Sequence, residues 1–476
     1  MKKRKLGLIL NIATLCLSIC AIVVGVYAIR NASINVSGSI GFVSHGVKLN
    51  IQSYMYGYSD VSSGVNPIEE NNKVQLTKDG GLNIDGSIGS INLGATKGEG
   101  NVGRYFSDIN GSITPIRVEL KIVNNSGYEV LLEDSTSSSS NFTIICDDPL
   151  RVLYATTSGT KSKEATIIYT LLPAKDDDGN YKEIKSPVNV SLSMSFSSIE
   201  TNIAGTNFTF DNTNSNVLTG VPTIEQNGGS DTLIIPSTFS TGETIDTLGV
   251  TNNYVAITNA KNYKKIVVLD GITTMGVAPF YECSKMESVC LPDSVTTISD
   301  NAFQHCDGLK AFATPKDVTR FSIRLNNGAK LLSLKLPDNL AYLYVQFSNI
   351  FEIDIPNKVT SLTLNHFPYL QSIELPNGLT SLDMQDCPLL TSVVIPDSMT
   401  SLSDMAFWQC KNLKQVQIPN TVKSFGAATF NTCPNLKDIN YLGTKEQWNA
   451  ITKPSSWDYG SGDYTVHCTD GDILKA

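Results

Sequence analysis

Leu291-Pro292-Asp293-Ser294-Val295-Thr296-Thr297-Ile298-Ser299-Asp300-Asn301-Ala302-Phe303-Gln304-His305-Cys306-Asp307-Gly308-Leu309 decides the fold. A hydrophobic residue and a proline are followed by an apolar residue three positions on and another three further. The phrase recurs as Ile235-Pro236, Leu336-Pro337, Ile355-Pro356, Leu375-Pro376, Ile395-Pro396 and Ile418-Pro419, with a worn copy at Thr314-Pro315. From Pro292 onward the prolines stand 23, 22, 19, 20, 20 and 23 residues apart. A period this short describes coils stacked into a solenoid, each unit burying its faces only against its neighbours. Nearly half of the chain is then an extended platform, which points to recognition and not to chemistry.

Within a unit the proline ends the first strand segment, because it removes an amide donor and fixes φ. Burying four or so apolar side chains per coil contributes about 6 to 12 kcal/mol gross, most of it offset by chain entropy. No coil is stable alone. Longer units carry Phe280-Tyr281-Glu282-Cys283, Phe303-Gln304-His305-Cys306, Phe407-Trp408-Gln409-Cys410 and Phe430-Asn431-Thr432-Cys433, a segment expected to form a short helical turn behind the strand. Shorter units centred on Leu343, Leu362 and Leu382 lack about three residues and read as plain β-to-β coils. Cys283, Cys306, Cys410 and Cys433 fall at one position of the repeat, with Cys387 at a similar one, so they stack as a column. Two readings are open for it: a packed ladder of free thiols, or disulfides pairing Cys283 with Cys306 or Cys410 with Cys433.

The 476 residues exceed what one core supports, so at least two folded regions are expected. The chain is 41% hydrophobic and 17% charged, with no block of like charge beyond the N-terminus, which excludes a mostly disordered chain and argues against nucleic acid as a partner. Lys2, Lys3, Arg4 and Lys5 all precede the first apolar run; without them 32 basic residues stand against 45 acidic ones, a net −13. Residues 6–29 follow without a single charge. As a helix they span about 36 Å, enough for a hydrocarbon core of about 30 Å. The basic flank stays cytoplasmic, which places residues 31–476 outside the cell. The segment is read as a transmembrane helix retained as a membrane anchor, or as a signal peptide cut after Val26-Tyr27-Ala28 to release a secreted form.

Residues 31–200 change in texture. Ile34, Val36, Ile40 and Phe42 alternate with polar residues, as do Val118, Leu120 and Ile122, and then Val188, Val190, Leu192, Met194 and Phe196. This period of two predicts strands with one face on a core, and the stretch reads as an antiparallel β-sandwich. Residues 201–232 are expected to form a linker and capping hairpin, residues 233–441 the repeats, and residues 442–476 a C-terminal cap. The fold class is therefore mainly β: an N-terminal helix, a sandwich, and a solenoid with short helical turns.

The unit from Leu291 to Leu309, the opening phrase Ile235-Pro236-Ser237-Thr238 and the closing Tyr441-Leu442-Gly443-Thr444-Lys445-Glu446-Gln447-Trp448, then Val466-His467-Cys468-Thr469-Asp470-Gly471-Asp472, closely resemble the BspA-like leucine-rich repeats of bacterial surface proteins, over residues 206–468. That resemblance implies a cell-surface adhesion protein that binds host or neighbouring-cell components, with no catalytic residues to transfer. The start of the chain, Val26-Tyr27-Ala28 followed by Ser33-Ile34-Asn35-Val36-Ser37-Gly38-Ser39-Ile40-Gly41-Phe42, resembles exported proteins of the TasA and camelysin kind, which implies a jelly-roll-like sandwich at the envelope, in some members fibre-forming.

His45, His305, His366 and His467 are scattered, and neither a zinc-site spacing nor a nucleophile or phosphate-loop motif is present. No catalytic, cofactor-binding or metal site is expected, and the chain is read as no enzyme. Tyr342, Tyr344, Phe347, Phe351, Phe367 and Tyr369, gathered in the short units, form the candidate ligand face, because aromatic residues are enriched at binding hot spots. The function expected is adhesion: a surface protein whose repeats bind extracellular protein or glycan. The alternative is a structural envelope or fibre subunit assembled through the sandwich.

Overall fold

The structure, a computed structural model, describes strands 40–44, 47–56 and 74–75 and then residues 116–475, apart from residues 135, 137–141, 175–191, 193, 200–202, 212, 214–215 and 252–253. The expected membrane-spanning segment, residues 6–29, lies outside the described residues. Among those described, no helix is long and apolar enough to cross a membrane. Contacts divide the chain into two units, Met1–Thr201 and Asn202–Ala476.

The first unit contains two antiparallel sheets. One orders Ile40–Ser44, Val47–Tyr56, Ile116–Asn124, Glu164–Pro173 and Phe142–Cys146, with Val74–Gln75 paired to Val47–Tyr56; the other orders Leu150–Leu153, Val130–Asp134 and Met194–Ser198. Val118, Leu120 and Ile122 are buried as their alternation predicts, together with Leu192, Met194 and Phe196. Two buried polar side chains tie sheet to sheet. Tyr169 Oη donates to Asp134 Oδ1 at 3.0 Å, and Asn124 Nδ2 donates to the Leu153 carbonyl at 3.1 Å. Val188 and Val190, the start of the cleanest alternating run, lie outside the described residues.

The second unit is a β-solenoid whose coils meet along two parallel ladders. The first ladder holds strands at the pre-proline position of the repeat: Thr232–Ile235, Lys265–Val268 and Ser288–Cys290, then Ala311–Ala313 with Ser333–Lys335, then Ser392–Val394, Gln415–Ile418, Asp438–Tyr441 and Thr465–Cys468. The second holds the strand after it: Val217–Gly220, Thr247–Leu248, Thr274–Met275 and Thr297–Ile298, then Arg320–Arg324, Tyr342–Gln346, Ser361–Asn365 and Ser381–Asp383, then Ser401–Leu402 and Ser424–Phe425. From Pro292 to Pro419 each prolyl carbonyl of the repeat accepts the amide three residues on, as in Val295 N to Pro292 O at 3.1 Å and Leu340 N to Pro337 O at 3.0 Å. The proline therefore opens a tight turn between the two ladders, and the apolar residue three positions later is the first to point back into the core.

Phenylalanines fill the spine. Phe280 and Phe303 lie 5.5 Å apart, Phe303 and Phe312 4.9 Å, and Phe407 and Phe430 5.4 Å at an interplanar angle of 4°. The segments expected to be helical turns are not helical. Glu282, His305, Asp386, Gln409 and Thr432, each directly before a column cysteine, adopt φ between 51° and 61°, a left-handed conformation that ends any right-handed turn. These residues form a ridge. The Glu282, His305, Asp386, Gln409 and Thr432 amides donate to the carbonyls of Gln304, Arg324, Trp408, Asn431 and Tyr459, one coil further along. Coil-to-coil hydrogen bonding takes the place of the helical bond.

The column cysteines are free thiols, not disulfides. Cys306 Sγ donates to the Phe280 carbonyl at 3.0 Å, Cys410 Sγ to Met384 at 3.2 Å and Cys433 Sγ to Phe407 at 3.1 Å, so each thiol ties its coil to the one before. Burial pushes the Cys306, Cys410 and Cys433 thiols above their ordinary range, which keeps the donating proton in place.

At the start, Thr209–Phe210 and Val217–Gly220 form a hairpin whose second strand joins the second ladder, with Phe208 and Phe210 against Phe239. At the end, the helix Lys445–Ala450 begins with a capping box between Thr444 and Gln447 and packs Trp448 against Tyr441 and Phe425. The strand Gly471–Leu474 then turns back antiparallel on Thr465–Cys468.

Candidate functional site

The short units build a four-stranded parallel sheet in the second ladder. Phe321, Ile323, Leu343, Val345, Leu362, Leu364 and Leu382 point inward and are fully buried, so the residues between them form the outer face. The register sets that face in rows. One row reads Arg320, Tyr342, Ser361, Ser381, and the next Ser322, Tyr344, Thr363, Asp383. A third reads Arg324, Gln346, Asn365.

Strands about 4.8 Å apart bring the members of a row into contact. The Arg320 guanidinium lies 3.6 Å from the centre of the Tyr342 ring, and that of Arg324 4.8 Å from Tyr344. Arg320 is also held by Asp300 through Nε to Oδ1 at 3.0 Å and Nη2 to Oδ2 at 2.8 Å, a two-pronged pair. Tyr344 Oη donates to Gln346 Oε1 at 3.1 Å, and burial raises its pKa against the opposing charge of Arg324. At the far strand, Asp383 Oδ2 accepts from Asn365 Nδ2 at 3.2 Å and Gln385 Nε2 at 3.1 Å. Burial nevertheless raises the Asp383 pKa. The middle row ends in two buried oxygens with no hydrogen-bond partner, Ser322 Oγ and Asp383 Oδ1. Buried polar atoms without partners are rare, and here two lie at the ends of one row.

Beside this face the left-handed ridge continues through Phe347, His366 and Asp386, with φ of 60°, 61° and 51°. A bulky aromatic residue rarely adopts this conformation. The Phe347 and His366 rings stack at 4.2 Å and 3°, and His366 Nδ1 lies 2.9 Å from Asp386 Oδ2. Together with Asn349, Pro368 and Pro388 they line a recess of about 350 Å³.

Of the six aromatic residues singled out from the sequence, Tyr342 and Tyr344 sit half-buried on the outer face, Phe347 half-buried in the recess, and Phe351 half-buried at the start of the following coil. Tyr369 is 39% exposed. Phe367 must be corrected: it is fully buried and cannot contact a ligand. It occupies the column position that Cys387 holds in the next coil and Ser348 in the one before, so its ring fills the spine. Arg320, Arg324, Asp383, His366 and Asp386 were missed. Continuing the period of two from Tyr342 and Tyr344 into the worn unit after Pro315 reaches the two arginines; nothing in the sequence marks the other three. Among the described residues, no group of histidine, cysteine and carboxylate side chains is arranged to hold a metal ion.

Coils of this length, joined by two parallel ladders around an apolar spine, define a leucine-rich-repeat solenoid. Residues 253–347 and 341–451 match the BspA type leucine rich repeat region in six copies, and the repeats of this chain are of that type. The matched residues do not reach the segment that resembles TasA and camelysin. No curated protein matches the chain. Among solved structures it is similar to a leucine rich cell surface protein from Faecalibacterium prausnitzii, at 21% identity over 52% of this chain and 96% of that one, with a TM-score of 0.22. It is also similar to a leucine-rich repeat protein from Bacteroides ovatus, at 20% identity over 51% and 70%, TM-score 0.32, and to the pneumococcal vaccine antigen PcpA, at 15% identity over 56% and 89%, TM-score 0.27.

Proposed function

We propose that the chain is a bacterial surface interaction protein that binds extracellular protein or glycan on the outer face of the sheet formed by Arg320–Arg324, Tyr342–Gln346, Ser361–Asn365 and Ser381–Asp383. In this reading residues 1–30 direct export and anchor the chain in the cytoplasmic membrane or are removed, residues 31–200 act as a spacer, and residues 442–476 cap the repeats. The observation that carries it is the pairing on this face of the Arg320 and Arg324 guanidinium groups with the Tyr342 and Tyr344 rings. Arginine with tyrosine is the composition of binding hot spots. The charged, amide and hydroxyl groups suit hydroxyl or main-chain recognition.

The test is enrichment from envelope and host-surface extracts, and on immobilised glycans, by the whole chain and by its Tyr344→Ala and Asp383→Ala variants. Capture lost at least tenfold in both variants, with unfolding midpoints unchanged, supports the face. Equal capture by all three moves the function elsewhere. A second reading, a structural subunit assembled through the first unit, is favoured by the strands Ile40–Ser44 and Phe142–Cys146, which end the six-stranded sheet among the described residues. A sheet edge is a template for strand addition. Regular filaments of the isolated protein under the electron microscope support it, and a monodisperse monomer at high concentration argues against it.

A further inference from the structure

The first ladder is interrupted in the middle of the solenoid. Where the repeat places its strand in the units ending at Pro356 and Pro376, residues 353–355 and 372–375 belong to no ladder and make no main-chain hydrogen bond to a neighbouring coil. The core shows the same opening. In the coil that follows, Val393 and Ile395 are both buried, as are Val289 and Leu291 or Val416 and Ile418 further out, whereas Ile355, Ile373 and Leu375, with Leu336 in the coil before, are half-exposed. Between the two segments lies a groove of about 620 Å³, within the range of ligand-binding clefts.

The repeat adds a charge penalty to closing the gap between these two segments. Asp354 and Glu374 precede the second apolar residue of their strands, so a closed parallel ladder sets them directly opposite one another, where like charges destabilise pairing. The charged residues lining the groove, Glu352, Asp354 and Glu374, are all acidic.

We propose that this groove binds an extended, cationic segment of a partner protein by strand addition. The guest pairs its main chain with residues 353–355 or 372–375, lays alternate apolar side chains over Ile355, Ile373 and Leu375, and places the intervening lysine or arginine between Asp354 and Glu374. Main-chain pairing supplies affinity, and the two carboxylates select for positive charge and against acidic sequences. The groove lies on the first ladder and is independent of whatever occupies the outer face of the second.

The probe is an acetylated, amidated octapeptide of alternating lysine and valine, titrated by fluorescence anisotropy into the full chain. An alternating glutamate and valine octapeptide and a lysine and valine octapeptide N-methylated at every second amide serve as controls. The expected result is binding of the first alone, weakened at least tenfold in the double variant Asp354→Asn with Glu374→Gln. Both positions are exposed, so the variant is expected to fold with an unchanged circular dichroism spectrum. A separate variant, Glu374→Lys, places a cation in the groove and is expected to abolish binding. Absence of binding, equal binding of the acidic or N-methylated peptide, or binding unaffected in both variants overturns the proposal.

Discussion

The coils at the two ends of the solenoid are stitched along the strand before the proline, and those in its middle along the strand after it. In the outer coils the first ladder runs three or four residues, as in Lys265–Val268 and Gln415–Ile418, and the second only two, as in Thr297–Ile298 and Ser424–Phe425. In the middle the second ladder lengthens to five, in Arg320–Arg324, Tyr342–Gln346 and Ser361–Asn365, while the first, after Ala311–Ala313 and Ser333–Lys335, gives out over residues 353–355 and 372–375. Coil length decides this. After Ile298 a long unit inserts Ser299, Asp300, Asn301 and Ala302 before the spine residue Phe303, and the chain leaves the sheet; after Leu343 a short unit passes through Tyr344 straight to the spine residue Val345 and stays in it. Losing three residues moves the hydrogen bonds from one edge to the other, and that move creates both the broad outer face and the acidic groove.

The largest effect expected is in the closed end. Phe407 is fully buried and stacked on Phe430, so Phe407→Ala empties the spine and is expected to cost about 3 to 5 kcal/mol by urea unfolding. A loss below about 1 kcal/mol breaks the picture of a tightly packed end. The comparison sharpens at one position of the repeat taken in both regions. Ile418→Ala, in the intact first ladder, is expected to cost about 2 to 5 kcal/mol. Leu375→Ala removes a side chain already half-exposed and is expected to cost less than half as much, because less burial is lost and the groove leaves room to relax. Equal losses show that the groove is closed in solution.

Much of this was legible from the sequence. The prolyl phrases fixed the coils, their turns and their order, because each turn is local chemistry: a proline, and an apolar residue three positions later. The alternation of Val118, Leu120 and Ile122 marked a buried face for the same reason. The switch between ladders was not legible, since pairing joins residues about twenty positions apart and follows from how neighbouring coils stack. Phe367 was misread because an aromatic residue in a short unit looks the same in the spine as on the surface; only its alignment with Cys387 and Ser348 separates the two. The left-handed ridge was missed because Glu282, Phe347, Gln409 and Thr432 are not residues that favour that conformation, and coil-to-coil hydrogen bonds impose it. Ser322 and Asp383 escaped notice because outward-facing polar side chains become buried only when a five-residue sheet crowds them.

A smaller effect is expected in the cysteine column, which runs through both regions. Cys410→Ala leaves the Met384 carbonyl without its thiol donor and is expected to cost about 1 to 3 kcal/mol. Cys410→Ser is expected to cost less, because Ser348 already occupies the equivalent place and donates to the Leu331 carbonyl at 3.3 Å. If serine proves the worse replacement by chemical denaturation, the column is held by apolar packing and its hydrogen bonds contribute nothing.

The smallest effect tests whether the two regions are energetically separate. In the last strands His467 Nε2 lies 3.0 Å from Asp438 Oδ1 and Nδ1 3.0 Å from Asp472 Oδ1, and these hydrogen bonds, Asp438 first, raise the imidazole pKa. Only the doubly protonated ring can donate to both carboxylates. A histidine with a raised folded pKa stabilises fully below its unfolded value, about 6.5, and this contribution is lost as pH climbs through the folded value. His467 is 40% exposed, so solvent screening holds the contribution below about 1 kcal/mol. Amide exchange in Thr465–Cys468 and Gly471–Leu474 should therefore quicken between pH 6 and pH 8, relative to intrinsic rates, and become insensitive to pH in His467→Asn. In a solenoid, stability is a sum over neighbouring coils, so Tyr342–Gln346 and Ser361–Asn365 should show no such change. If those middle strands loosen in step with the cap, the molecule unfolds as one cooperative block, and the contrast between its closed ends and open middle is one of geometry alone.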